Sequence, residues 1–295
     1  MKPILTILLT CLLLSGCSAP AEPAEIAATT LPVYEFTSRL CEGTPLSVTR
    51  LVTEEVSCLH DYSLNVRQVK AAEAAETVVI SGAGLEEFME DILPEGSAID
   101  ASQGISLITP EEHHHHHHEE AEESHEGHHH EEDPHIWLSP ANASRMAENI
   151  SAGLSARYPE YKIVFEANLE TLRQEFADLE HYGKQQLERL SCREIITFHD
   201  GFAYFAESFD LEILRAVEEE SGSEASARDL IELIEEVEHH NLPAIFTEKS
   251  GSVSAASIIA RETGCGSFPL DMAMAGDSYF EAMYHNIDTI KEALG

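Results

Sequence analysis

The sequence predicts an α/β protein, two parallel-sheet βα lobes joined by one long rigid helix. Three observations predict it. Strand-like and helix-like stretches alternate from residue 26 to 101, and alternate again from 194 to 294. Between them, apolar residues recur at helical spacing over about thirty residues.

The chain opens with a short basic start, Met1-Lys2-Pro3, and an apolar run from Ile4 to Leu14. That run is too short to span a bilayer and suits the core of a signal peptide, residues 1–16. Leu14-Ser15-Gly16-Cys17 resembles the lipobox of bacterial lipoproteins. The resemblance implies a lipidated Cys17 at the start of the mature chain, followed by a small, Pro-containing tether over 17–25.

The N-terminal lobe is expected over 26–158. Its strand candidates are Ile26 to Leu31, Leu46 to Val52, Thr77 to Ser81 and Ala98 to Ala101. Helices are expected from Val33 to Cys41 after Pro32, from an Asn65 cap to Glu76, and from Leu85 to Leu93 before Pro94. Ser139-Pro140 starts another helix that ends near Tyr158. The linking helix, 159–190, is read from Phe165, Leu169, Leu172, Phe176, Leu179, Tyr182 and Leu187. At 1.5 Å per residue it would be roughly 45 Å long, more than one small domain needs. The C-terminal lobe, 191–295, has strand candidates Glu194 to Phe198, Leu211 to Val217, Ala244 to Thr247 and Ser267 to Leu270. Helices are expected at Gly201 to Phe209, Ala227 to His240, Ala255 to Thr263 and Tyr279 to Leu294.

One stretch breaks the pattern. Residues 111–132 hold ten histidines and nine glutamates. Such a segment has nothing apolar with which to build a core and reads as metal-collecting by composition. A histidine tag would sit at a terminus; this run lies mid-chain and is interrupted by acids. His113, His114, His115, His116, His117, His118, His125, His128, His129 and His130 are therefore read as auxiliary, weak metal ligands on a mobile insertion. The formal charge of −37 argues against nucleic acid as a partner and suits attraction of cations.

Ligands of open parallel sheets bind beyond the carboxyl ends of the strands. His60 follows the second strand by a short loop, His199 comes straight after Phe198, and Asp271 straight after Leu270. His135 stands at the downstream edge of the His-rich run. Two candidates come from each lobe, so a metal site is expected in the cleft between the lobes. Three imidazoles and one carboxylate form a set that suits Zn²⁺. Asp61, Asp200 and Glu248 are candidates to orient the imidazoles, with Glu248 also weighed as a direct ligand. His181, His239, His240 and His285 are read as surface residues.

The motifs together resemble one family. They are Leu59-His60-Asp61-Tyr62, Gly82-Ala83-Gly84-Leu85-Glu86, Asp133-Pro134-His135-Ile136-Trp137-Leu138-Ser139-Pro140, and Thr197-Phe198-His199-Asp200-Gly201-Phe202-Ala203-Tyr204-Phe205. Leu270-Asp271, Gly276-Asp277-Ser278-Tyr279, Met283 and Asn286 complete the set. The chain resembles the zinc/manganese group of solute-binding lipoproteins that serve ATP-binding-cassette (ABC) importers. The resemblance implies a non-enzyme that captures Zn²⁺ at the extracytoplasmic face of the cell membrane and delivers it to a permease with its ATPase subunit. It also implies a monomer held by its lipid anchor, with His60, His135, His199 and Asp271 as ligands. His199 stands where the manganese branch usually carries Glu. One departure is Cys58-Leu59, where the family has Asp-Pro. The small, Gly-containing segment Met272 to Gly276 is the expected mobile part in release.

Of six cysteines, Cys11 lies in the expected signal peptide and Cys17 is the expected anchor, which leaves four. The lobe assignment makes Cys192 and Cys265, both just before strands of the C-terminal lobe, plausible partners. Cys41 and Cys58 share the N-terminal lobe, but Cys41 ends a helix at the opposite edge from the Cys58 loop, so a bridge between them needs the Thr53–Ser57 loop to fold back and stays open. Other readings stay open. One is a manganese or iron binder of the same fold. Another is a zinc hydrolase, which would need an open coordination position and for which no His-Glu-x-x-His is present. A third is a surface adhesin.

Overall fold

The computed structural model describes residues 24–54, 56, 59, 62–89, 91–93, 98–109, 132–217, 226–249 and 253–295. The expected signal peptide, Cys17, most of the tether, Cys58, His60, Asp61 and the ten histidines of the insertion lie outside them.

Two four-stranded parallel sheets form the frame. The first takes β1 (Ile26–Ala28), β2 (Val48–Arg50), β3 (Thr77–Ile80) and β4 (Ile99–Asp100) in the order β2-β1-β3-β4. The second repeats that winding with β5 (Glu194–Thr197), β6 (Glu212–Ala216), β7 (Ala244–Glu248) and β8 (Gly266–Leu270), ordered β6-β5-β7-β8. In each sheet the chain leaves the first strand in one direction and returns on its other side. The ends of β1 and β3, and of β5 and β7, thus flank a crevice where side chains can meet.

Helix α1 (Leu31–Leu40) starts with Pro in its first turn, and α2 (Val66–Ala74) with a capping box between Asn65 and Gln68. The helix expected over Leu85 to Leu93 shrinks to a 3-10 turn at Glu87–Met89. Gly82, Ala83 and Gly84 all have positive φ, so the chain enters this segment through tight turns. A Cβ on Gly82 would meet Asp100 Oδ1 at 1.9 Å.

Glu86 is spent in the same place. Its carboxylate is buried and accepts from Thr29 Oγ1 at 2.6 Å, Ser81 N at 2.7 Å and Gly82 N at 3.0 Å, tying the ends of β1 and β3 together. Burial, aided by the nearby Asp100 charge, pushes its pKa up to about 7 against the pull of those donors. The folded state therefore holds this proton more tightly than the unfolded chain. Stability from Glu86 is present below about pH 4.5 and is lost as pH rises to about 7, a change on the order of 3 kcal/mol. Unfolding free energies at pH 5 and pH 8 check this: Glu86→Gln should flatten that fall, and an unchanged slope would contradict it.

Helix α3 (Pro140–Arg157), capped by Ser139, leads through a turn at Pro159–Tyr161 into α4 (Lys162–Gln186), the linking helix. Its 25 residues make it roughly 37 Å long, shorter than the sequence suggested. It packs on α1 and α3 of the first lobe and on α8 (Tyr279–Leu294) of the second. Phe165, Leu172, Phe176 and Leu179 join one apolar core that continues through both lobes. The remaining helices are α5 (Ala203–Ser208), α6 (Ala227–His240) and α7 (Ser254–Thr263).

The lobes are also tied by polar contacts. Glu35 of α1 accepts from Ser278 Oγ and Tyr279 N, so it caps α8 from the opposite lobe. Arg50 donates to the Gly276 carbonyl at 2.9 Å. Trp137, fully buried, donates from Nε1 to the Met272 carbonyl at 2.8 Å, and its own carbonyl accepts from Tyr279 Oη at 2.8 Å.

The expected disulfides are not formed by the cysteines described. Cys192 and Cys265 are free. They do lie at the same edge of the second sheet, but β7 runs between β5 and β8. Two strand spacings come to about 9.5 Å, beyond the Cα–Cα reach of a disulfide. Cys192 Sγ instead meets the Glu194 carbonyl at 3.4 Å. Cys41 is also free; it sits at the end of α1 inside the core, and burial raises its thiol pKa to about 12. Such a thiol is inert.

Candidate metal centre

The crevice of the second sheet builds half of the site. His199 follows β5 after one residue, and Glu248 ends β7, the neighbouring strand. Their side chains meet at 3.0 Å, His199 Nδ1 to Glu248 Oε1, both nearly excluded from solvent. The other half comes from the turn before the 3-10 helix Ile136–Leu138. There Asp133 folds back on its own turn: Oδ1 accepts from His135 N at 2.9 Å and from His135 Nδ1 at 2.7 Å.

A buried carboxylate stands against each Nδ1, Asp133 at 2.7 Å and Glu248 at 3.0 Å. A proton held on Nδ1 by such a carboxylate turns the Nε2 lone pair toward a metal. The two Nε2 atoms then face each other at 3.3 Å across the lobes. Two imidazole nitrogens this close share either a proton, as a hydrogen bond, or a cation. Nitrogens bound to zinc at about 2.0–2.1 Å in a tetrahedron lie about 3.3–3.4 Å apart, so the pair is already spaced for that ion.

Gly201 makes the approach possible. A Cβ there would lie 2.6 Å from Met272 Cε, 2.7 Å from His199 Cδ2 and 3.0 Å from His135 Cγ. Any larger residue would push the imidazoles apart. Tyr204 pins the turn from the other side, donating to the Asp133 carbonyl at 2.9 Å and accepting from Ile108 N at 2.9 Å. Desolvation raises its pKa to about 12, so it stays a neutral donor.

Asp271 follows β8 directly. Its carboxylate is turned to its own surroundings: Oδ1 accepts from Ala273 N at 2.8 Å, and Oδ2 pairs with Lys249 Nζ at 3.1 Å. Buried Asn286 holds its backbone by two hydrogen bonds. Among the described residues no group of three or more His, Cys, Asp or Glu stands together as a metal cluster. Of the four expected ligands, the structure brings His135 and His199 together, places Asp271 one residue from Met272 at their side, and leaves His60 outside the described residues.

Of the expected orienting groups, Glu248 stands beside His199 Nδ1, as that role requires, whereas Asp200 is exposed on the turn after His199. Asp133 was not expected; its position two residues before His135, where an Asx turn can form, was the available signal. His181, His239 and His285 are exposed as expected, while His240 is half-buried and pairs with Glu194 at 2.9 Å.

A family model described as zinc-uptake complex component A, periplasmic, matches residues 26–293, from β1 through almost all of α8. The chain belongs to this family. It is 27% identical to the high-affinity zinc uptake system protein ZnuA of Bacillus subtilis, over 95% of this chain and 90% of that protein. A crystal structure of ZnuA superposes with a TM-score of 0.77 at 28% identity, covering 92% of this chain and 100% of that one. The Zn(II)-bound ZnuA-like domain of Streptococcus pneumoniae AdcA gives a TM-score of 0.75 at 26% identity, covering 92% of this chain and 98% of that one. The chain spans 55% of the length of full AdcA.

The carboxylates behind the histidines should matter to a bound ion. Glu248→Gln keeps an acceptor for Nδ1 but removes the charge, and is expected to weaken zinc binding roughly tenfold or more. Competition against a chromophoric chelator measures it; an unchanged affinity would make Glu248 a bystander.

Proposed function

We propose that the protein is the extracytoplasmic zinc-binding component of an ABC metal importer. It captures Zn²⁺ between its lobes and delivers it to a membrane permease driven by an ATPase subunit. The observation that carries this reading is the buried His135–His199 pair, Nε2 to Nε2 at 3.3 Å, with a carboxylate behind each ring. His60 and Asp271 complete the ligand set, His60 on its sequence position after the second strand and the family resemblance. Four protein ligands leave no coordination position for a reactive water, which favours capture over catalysis. The names of the relatives, zinc uptake and zinc binding, support zinc as the cargo.

Cys17 carries the lipid anchor that keeps a monomeric protein at the outer face of the membrane. The histidines of 111–132 act as an auxiliary collector of weak sites. The test is the metal content and zinc titration of the purified full chain beside its His199→Ala variant. One tight zinc per chain, lost in the variant, supports the reading. Tight zinc held equally by both would refute it. Preference for manganese in direct competition would move the protein to the manganese branch.

A further inference from the structure

We infer that Lys249 is a tethered counter-cation: it occupies the Asp271 carboxylate in the metal-free protein and so sets how tightly zinc is held and how readily it leaves. The inference rests on Asp271 being a zinc ligand.

The register of the second sheet places Lys249 there. Glu248 pairs with Leu270 across β7 and β8, and Lys249 N donates to the Leu270 carbonyl at 2.9 Å, so Lys249 lies beside Asp271. Successive side chains at a strand end point to opposite sides. Glu248 turns inward to His199, and Lys249 turns outward and reaches over Asp271.

Asp271 itself is held still. Asn286 Oδ1 accepts from its N–H at 2.8 Å, and Asn286 Nδ2 donates to its carbonyl at 2.7 Å. Oδ1 is fixed by the N–H of Ala273, whose φ of 55° turns the chain sharply enough to bring it round. Oδ2 is the oxygen that can change partner, and its partner is the Lys249 ammonium. The two differ in exposure: the lysine side chain is 62% exposed, the aspartate 12%. The ammonium can therefore swing into solvent while the carboxylate stays. Both residues line the same cavity of about 20 Å³ with Glu248 and Met272, so the ammonium stands at the mouth of the space beside the ligand.

An arriving Zn²⁺ must take Asp271 from this ammonium and then tolerate a positive charge a few ångströms away. Both effects weaken binding and favour release, as a protein that must surrender its cargo requires. An exposed ion pair is worth about two- to fivefold in an equilibrium, and the repulsion of a second cation adds a similar factor.

The experiment uses the full chain and zinc chloride, with affinity from chelator competition and release rate from chelator challenge. Lys249→Met should bind zinc about three- to tenfold more tightly and release it more slowly. Lys249→Arg, which keeps the charge, should stay within about twofold of the parent. On an Asp271→Asn background, Lys249→Met should have no further effect. A parent-like Lys249→Met, or one that binds zinc more weakly, overturns the inference, since the lysine would then be neutral or a support for the ligand. If Asp271→Asn alone leaves zinc affinity unchanged, the ligand assignment falls and the inference with it. Thermal melts of each variant distinguish these outcomes from loss of fold.

Discussion

His199→Ala is expected to abolish tight zinc binding and leave only the weak sites of the His-rich insertion. His199 supplies one of the two imidazole nitrogens that the fold has already brought to 3.3 Å. Outer-shell partners alone are worth roughly 10–100-fold in metal affinity, so loss of a ligand should exceed about 100-fold. The variant also removes the Nδ1 group that stands 3.0 Å from Glu248, a buried carboxylate. That adds a stability cost of about 1–3 kcal/mol, and His199→Gln, which keeps a donor near Glu248, separates the two effects. In a titration, the parent should show a steep first equivalent followed by shallow binding, and both variants only the shallow part. A steep equivalent surviving in either would remove His199 from the site.

Trp137→Ala is expected to cause the largest loss of stability of any single substitution considered. The indole is fully buried between His135, with which it makes an edge-to-face contact at 5.3 Å, and the core of the second lobe. Truncation of a buried Trp costs about 3–5 kcal/mol through lost burial and the cavity left behind. Here the Met272 carbonyl also loses its donor, Nε1 at 2.8 Å. For a chain of this size the melting temperature should fall by on the order of 10 °C. Trp137→Phe, which loses the donor but fills most of the space, should fall by roughly a third of that. Met272 follows Asp271, so both variants should also weaken zinc binding, read by the same competition assay. A Trp137→Ala protein that melts within about 2 °C of the parent would show that the indole does not brace the lobes.

Much of this was legible in the sequence, for identifiable reasons. The linking helix could be read because Phe165, Leu169, Leu172, Phe176 and Leu179 keep one face at helical spacing, and packing enforces that spacing. His199 could be read because a polar residue straight after EIITF must sit at a strand exit. Glu248 was legible as an orienting group for a similar reason, since β7 neighbours β5 in the doubly wound order.

What stayed hidden depended on side chains turning back or on strand order. Asp133 reaches its own turn, a local choice that periodicity does not record. Lys249 read as an ordinary exposed lysine because its meaning lies in the β7–β8 register. The Cys192–Cys265 pairing failed because sequence gives the edge of a sheet but not which strand intervenes. The segment after Gly84 looked helical by composition, while three successive positive φ values made it a turn.

The cap that Glu35 places on α8 spans 244 positions of sequence. Its consequence is an order of events. Helix α8 cannot satisfy the Tyr279 amide through Glu35 until α1 and α8 have met, and closing so long a loop is entropically slow. The same encounter seats Tyr279 against Phe36 at 5.0 Å. A nascent chain lacks this cap until Ser278 and Tyr279 have been made, so the cleft is expected to take its final shape only after α8 has joined α1.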